Sequence, residues 1–234
     1  PIAVSDLNYS SITSTYCMMF NKNLAAAYEL EDVYALVLDG KWTFDKLYDM
    51  VKNVYTDDGN DKKDANDFYG IAHQNGSAVN VYLWAFDNPV CKKDEDGIPE
   101  IAIKTDKINN IVSDIYNFFF NTPGVYFDHD TLNVESDALG LFWEKNAIFA
   151  ISNLGTPTSK SFRDFDDDIG IIPYPKYTED QEDYLTMADG FHSVLAVPKT
   201  AKDLDFVGII VEALSAESWK TVTPTLYEIA LKTR

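Results

Sequence analysis

Residues 135–152 read ESDALGLFWEKNAIFAIS, a helix over 135–146 that runs into an apolar strand over 147–152. An apolar run this short reads as a buried strand, and the polar turn before it ends the helix. The same alternation extends outward. Downstream, IGIIPYP (169–175) is a strand closed by prolines, and SVLAVPK (193–199) is another. Two helices follow, over 203–218 and 219–232, joined near Ser218. Upstream, FYGIAH (68–73) reads as a strand, SAVNVYLWAF (77–86) as a largely buried helix and PEIAIKT (99–105) as a short strand. Ile108, Ile111, Val112, Ile115, Phe118 and Phe119 mark a long helix that NTPG (121–124) stops. Alternating helices and strands predict an α/β fold.

Nearer the start, residues 12–20 are short, β-branched and aromatic, as a buried strand requires, and NKNLAAAYEL (21–30) follows as a helix. Residues 39–55 give a turn at Asp39-Gly40 and Thr43 as N-cap. Phe44, Leu47, Tyr48, Val51 and Tyr55 then stand at helical spacing. Trp42 stands just before that helix, where it packs as a hydrophobic staple.

With 234 residues, 46% hydrophobic and 14% aromatic, the chain can bury a full core in one large or two small domains. Its 38 acidic and 19 basic residues leave a net charge of -19, which repels phosphate backbones and anionic lipid surfaces. Nucleic acid is therefore not an expected partner. No apolar run approaches the roughly 18 residues that span a bilayer, so direct membrane insertion is not expected. No basic and apolar leader opens the chain. The first residue is not methionine and the last stretch is still helical in pattern, so a piece of a longer protein is expected. Cys17 and Cys91 lie far apart, without a metal-binding spacing, and both are expected to be free.

Sequence handles for catalysis are missing. His73, His129 and His192 fit no HExxH or His-x-His pattern, and GxSxG, GxxxxGK[ST] and GxGxxG do not occur. A carboxylate pair of the glycosidase kind can be drawn by chance from so many acids, so the expectation is no enzyme. The acidic loop TDDGNDKKDAND (56–67) matches part of a calcium-loop pattern. It supplies Asp58, Asn60, Asp64 and Asp67 at ligand spacing, with Thr56 in place of the first acid and Asp61 at the turn position usually held by glycine. A structural calcium ion is the one candidate cofactor; the alternative is a solvated acidic loop.

Several stretches taken in order resemble the extracellular solute-binding proteins of ABC importers, family 1, the group that includes the maltose-binding proteins. They are PIAVSDLNYSSITSTYCMMFNKNL (1–24), LVLDGKWTFDKLYDMVK (36–52), LGLFWEKNAIFAIS (139–152), DIGIIPYPK (168–176) and GFHSVLAVPKTAKDLDFVGIIVEALSAES (190–218). The resemblance implies a periplasmic-binding-protein-like type II fold, with residues 1–8 ending the first lobe and crossing over. Residues 9–188 would form the second lobe, and 189–234 the return crossover with a first-lobe strand and helices. It implies a non-catalytic receptor that closes by hinge motion on a solute, an oligosaccharide above all, and delivers it to the importer's membrane subunits. It also implies an exported protein, lipid-anchored at the cell surface or periplasmic. A glycan-active hydrolase and a peptide-binding receptor of the same fold stay open as alternatives.

Carried over by motif, the resemblance places ligand contacts in three stretches. The loop after AIFAIS offers Ser152, Asn153 and Leu154, the last standing where the family commonly has an aromatic. The stretch opening the buried helix offers Ser77, Asn80 and, further along, Trp84, which also suits an apolar core face, as does Trp143. The return crossover offers Asp189, Phe191 and His192, where Gly190 permits a turn that other residues resist. Aromatic faces suit the C–H faces of pyranose rings, and carboxylates and amides suit their hydroxyls.

Overall fold

The structure is a computed structural model describing residues 2–3, 5–74, 76–128 and 137–231. His129 and residues 135–136 of the opening stretch lie outside the described residues. In chain order the strands are β1 (Ile2–Ala3), β2 (Tyr16–Asn21), β3 (Tyr55–Thr56), β4 (Phe68–His73), β5 (Cys91–Lys93), β6 (Pro99–Ile101), β7 (Val125–Phe127), β8 (Ala147–Asn153), β9 (Ile169–Ile172) and β10 (Leu195–Ala196). The helices are α1 (Ser10–Thr13), α2 (Lys22–Ala27), α3 (Val33–Leu38), α4 (Phe44–Val51), α5 (Ser77–Ala85), α6 (Thr105–Asn121), α7 (Asp137–Trp143), α8 (Lys160–Asp164) and α9 (Leu204–Thr225). The α/β class expected from the alternation is what the chain adopts.

The chain divides into two compact units. One comprises residues 16–152 and 166–187 and holds the main sheet, ordered β3-β4-β8-β2-β9 with β7 also paired to β4. Strands β4 and β8 run parallel, with Ile71 opposite Phe149 and Ala72 opposite Ala150, and β7 runs parallel to β4. Nearly every residue of β2, β4 and β8 is buried, which is why these strands read as continuous apolar runs rather than alternating ones. Helix α4 is capped by Thr43, whose hydroxyl accepts the Lys46 N–H at 3.3 Å, and it buries Phe44, Leu47, Met50 and Val51. Its C-terminal end approaches the sheet closely: a Cβ on Gly70 would lie 2.6 Å from Val51 Cβ, and one on Gly124 would collide with the Val51 carbonyl. Trp42 is fully buried, its indole N–H donating to the Pro173 carbonyl at 3.0 Å.

The other unit comprises residues 1–15, 153–165 and 188–234. Its cuts fall at 15/16, 152/153, 165/166 and 187/188. The excursion 153–165 joins this unit because the Leu154 and Gly155 N–H groups donate to the carbonyls of Thr15 and Thr13. Strand β1 pairs antiparallel with β10.

Several expected elements change, among them the strand expected over 99–105, which ends at Ile101 with Thr105 already in α6. The strand expected over 12–20 starts only at Tyr16, because Ser11, Thr13 and Thr15 turn their hydroxyls onto the carbonyls of Asn8, Ser10 and Ser11 and curl the chain into α1. The strand expected over 193–199 shrinks to Leu195–Ala196: the Ser193 N–H goes to the Ser10 hydroxyl instead of a ladder partner, and Pro198 has no N–H. Helix α9 passes straight through Ser218, since that hydroxyl donates to the Asp6 carbonyl and does not compete for the helix backbone. A π-helix, Leu226–Leu231, follows. Both cysteines are free, Cys17 buried and Cys91 exposed.

Candidate functional site

Parallel strands in an open α/β sheet leave the carbonyl ends of neighbouring strands, and the loops that follow them, on one edge. In the sheet unit this edge carries the ends of β4 and β8. Strand β4 ends at His73, Gln74 follows, and Gly76 (φ 74) starts α5 without a side-chain cap. The first-turn N–H groups of such a helix point outward as donors. Ser77, Asn80 and Trp84 all lie on the exposed face of α5, with Trp84 36% exposed, while Ala78, Val81, Tyr82 and Ala85 form its buried face. Helical spacing therefore gathers these three expected residues on one face. Ser152, at the end of β8, is buried at 4% exposure. Trp143 is half-buried.

Gln74, which sequence reasoning did not single out, joins the two strand ends: its Nε2 donates to the Ile151 carbonyl at 3.3 Å. Its own carbonyl lies 2.6 Å from His73 Nδ1. A carbonyl only accepts, so Nδ1 carries the hydrogen, and Nε2 is a bare, buried nitrogen without a partner among the described residues. The His73 ring sits among Tyr82, Phe119 and Phe127, with centroids 5.5, 4.6 and 6.2 Å away. Burial holds its pKa down at about 3, so the ring is neutral throughout the physiological range.

In the other unit, the carbonyls of residues 13–15 take N–H groups from two later segments of the chain. Thr15 and Thr13 carbonyls take the N–H groups of Leu154 and Gly155, and the Ser14 carbonyl takes that of Asp189 at 2.8 Å. Asn153, Leu154 and Asp189 are thereby brought together. The Asn153 side-chain oxygen accepts the Gly155 N–H at 3.0 Å. Asp189 accepts the Phe191 N–H at 2.9 Å, and its carbonyl lies 2.7 Å from His192 Nδ1. This tight turn projects Phe191, 97% exposed, into solvent. Gly190 does not make a turn that other residues resist: it is absent from the positive-φ positions, and a Cβ there would meet open space.

The acidic loop gathers a different set from the expected one. Carboxylate oxygens of Asp57, Asp58 and Asp67 lie within 4.8 Å of one another. Asn60 and Asp64 pair with each other, Nδ2 donating to Oδ2 at 3.0 Å. Asp57 was missed because the pattern alignment skips it. Asp61 takes φ 59, the left-handed conformation that the turn position needs, without glycine. Asp67 is buried and accepts from the hydroxyls of Tyr55 and Tyr69 and the N–H groups of Asp58 and Asp64. Burial pushes its pKa up, but these four donors outweigh that and leave it below the usual carboxylate value. Lys63 ties the loop to the start of β7 through the carbonyls of Thr122 and Val125.

The model of the bacterial extracellular solute-binding proteins matches residues 3–217. The chain belongs to this family. Solute-binding proteins of this kind are substrate-binding receptors, and the type II fold expected from the resemblance is the family's fold. No curated protein matches the chain. Among solved structures it is similar to a maltose/maltodextrin-binding domain from Bdellovibrio bacteriovorus bound to maltotriose: 13% identity, TM-score 0.49, covering 86% of this chain and 46% of that one. It is also similar to a sugar transporter from Bacillus licheniformis in complex with stachyose: 15% identity, TM-score 0.46, covering 88% and 54%. A third is an ABC substrate-binding protein from Listeria monocytogenes in complex with cycloalternan: 14% identity, TM-score 0.47, covering 67% and 36%. The chain thus spans between about a third and a half of these solved proteins. Among the described residues no helix is long and apolar enough to cross a membrane.

Proposed function

We propose that this solute-binding protein takes an oligosaccharide and delivers it to the membrane subunits of an ABC importer, without catalysing a reaction on it. The family match over residues 3–217 carries the reading. The residue types on offer support it: exposed hydroxyl, amide and aromatic groups on α5, and Asn153, Asp189 and Phe191 around residues 13–15. Hydroxyl-rich ligands need such mixed donors and acceptors beside an aromatic face. Assignment of the two units to receptor lobes, closure on the solute and lipid anchoring of an exported parent belong to the same proposal.

The test is thermal unfolding with maltotriose, stachyose and a xylo-oligosaccharide at millimolar concentration, beside a product assay on the same sugars. A concentration-dependent rise in Tm with no product is expected. Product formation favours a hydrolase, and no rise with any sugar removes oligosaccharide binding. A structural calcium ion in the acidic loop, on Asp58, Asn60, Asp64 and Asp67, is a separate proposal; calorimetry that shows no heat with millimolar calcium rejects it.

A further inference from the structure

We infer that Gln74 is a positioning residue that fixes the spacing between the two strand ends from which the candidate ligand contacts depart; its effect on ligand affinity rests on the receptor reading above. The last registered pair of the parallel β4–β8 ladder is Ala72 opposite Ala150. Beyond it no further β4–β8 pair is registered; β4 ends at His73, ahead of α5 with Ser77 and Asn80, and β8 continues through Ser152 to Asn153. Gln74 bridges this gap with its side chain, Nε2 donating to the Ile151 carbonyl at 3.3 Å.

A side chain holds a spacing only if its own backbone is fixed, and two features fix it here. The Gln74 carbonyl accepts from His73 Nδ1 at 2.6 Å. The His73 ring is in turn fully buried and edge-on to Phe119 at 4.6 Å, so it cannot swing away without opening the aromatic core. Core packing thus holds His73, His73 holds the Gln74 backbone, and the Gln74 amide holds Ile151. A displacement of about 1 Å between groups that bind one ligand is enough to lose much of their joint contribution. Glutamine meets the requirement as a neutral donor long enough to span strands, whereas a carboxylate of equal length would set negative charge against the carbonyl oxygen.

Gln74→Met keeps the length and removes the donor, and Gln74→Glu reverses the polarity. Hydrogen exchange of the backbone amides in 74–80 and 151–155, measured on the whole chain, reads the clamp directly. Both variants are expected to exchange at least about tenfold faster there, with amides of α4 unchanged; global loosening would show in α4 as well. Unchanged exchange at 74–80 and 151–155 in both variants overturns the inference, whatever the sugars do. Where a sugar from the panel stabilises the wild-type chain, its affinity is expected to fall about tenfold in Gln74→Met. Faster exchange with unchanged affinity would overturn the link to binding, and failure of every sugar to stabilise the wild type would count against the receptor reading alone, leaving exchange to decide the clamp.

Discussion

The Asp67 carboxylate accepts the Tyr55 hydroxyl at 2.9 Å, across the acidic loop that both residues flank. With the Tyr69 hydroxyl and the N–H groups of Asp58 and Asp64 also on this carboxylate, four donors depend on one buried side chain. Asp67→Ala leaves them without their acceptor, and a loss of roughly 2 to 4 kcal/mol in unfolding free energy is expected. Asp61→Asn should change stability by less than about 1 kcal/mol, since its side chain is exposed and asparagine keeps the left-handed backbone found there. Urea unfolding of both variants checks the contrast, and equal midpoints would show that the loop is solvated surface.

Gly124 and Gly190 should respond oppositely to alanine. A Cβ on Gly124 runs into the Val51 carbonyl at the end of α4, whereas one on Gly190 meets open space at an ordinary φ. Gly124→Ala is expected to destabilise by about 3 kcal/mol or more through backbone displacement, and Gly190→Ala to leave stability within about 1 kcal/mol of wild type. Thermal unfolding of the two variants is the check, and a tolerated Gly124→Ala would mean that α4 does not approach the sheet this closely.

The same pair shows what the sequence made legible. Continuous apolar runs such as FYGIAH and AIFAIS can only be buried on both sides, so β4 and β8 were readable. The long helix α6 was equally readable from its spacing. Helix α3 was not assigned, because VYALVL is six solidly apolar residues without a period. The onset of β2 was misplaced because hydroxyls of Ser11, Thr13 and Thr15 bind local carbonyls, a choice that β propensity does not record. At the candidate site, the order of motifs points to the loops after β4 and β8, but Gln74 is invisible: an amide side chain after a strand reads alike whether it faces water or bridges two strands. Gly190 misled for a related reason, since glycine permits a left-handed turn without requiring one.

His73 should give the protein an acid-sensitive limb. Its folded pKa, about 3, lies below the ordinary histidine value of 6.5, so the unfolded chain binds the proton more tightly. Stability from the neutral ring is complete above about pH 6.5 and falls on acidification toward pH 3, at up to about 1.4 kcal/mol per pH unit. By pH 4 the accumulated loss is roughly 3 kcal/mol. His73→Phe keeps an aromatic ring in the cluster and removes the proton site, so its stability should decline less between pH 6.5 and 4 than that of wild type. Parallel slopes in denaturant titrations across that range would show that other groups set the acid response.

Phe191 separates binding from folding. At 97% exposure its ring contributes almost nothing to the packed core, and the turn beneath it is held by the Asp189 side chain accepting the Phe191 backbone N–H, a bond that alanine retains. Phe191→Ala should therefore leave Tm within about 2 °C of wild type. Under the proposed function, the exposed aromatic face beside half-buried His192 would stack on a sugar ring, so removing it should weaken saccharide binding by roughly tenfold, about 1.4 kcal/mol. Trp84→Ala tests the other expected platform; its side chain is partly packed, so a drop in Tm should accompany any loss of affinity. Calorimetric titration of a stabilising sugar into the wild type and both variants decides between the platforms. Unchanged affinity in Phe191→Ala would remove Phe191 from the binding surface and shift the search to the exposed face of α5.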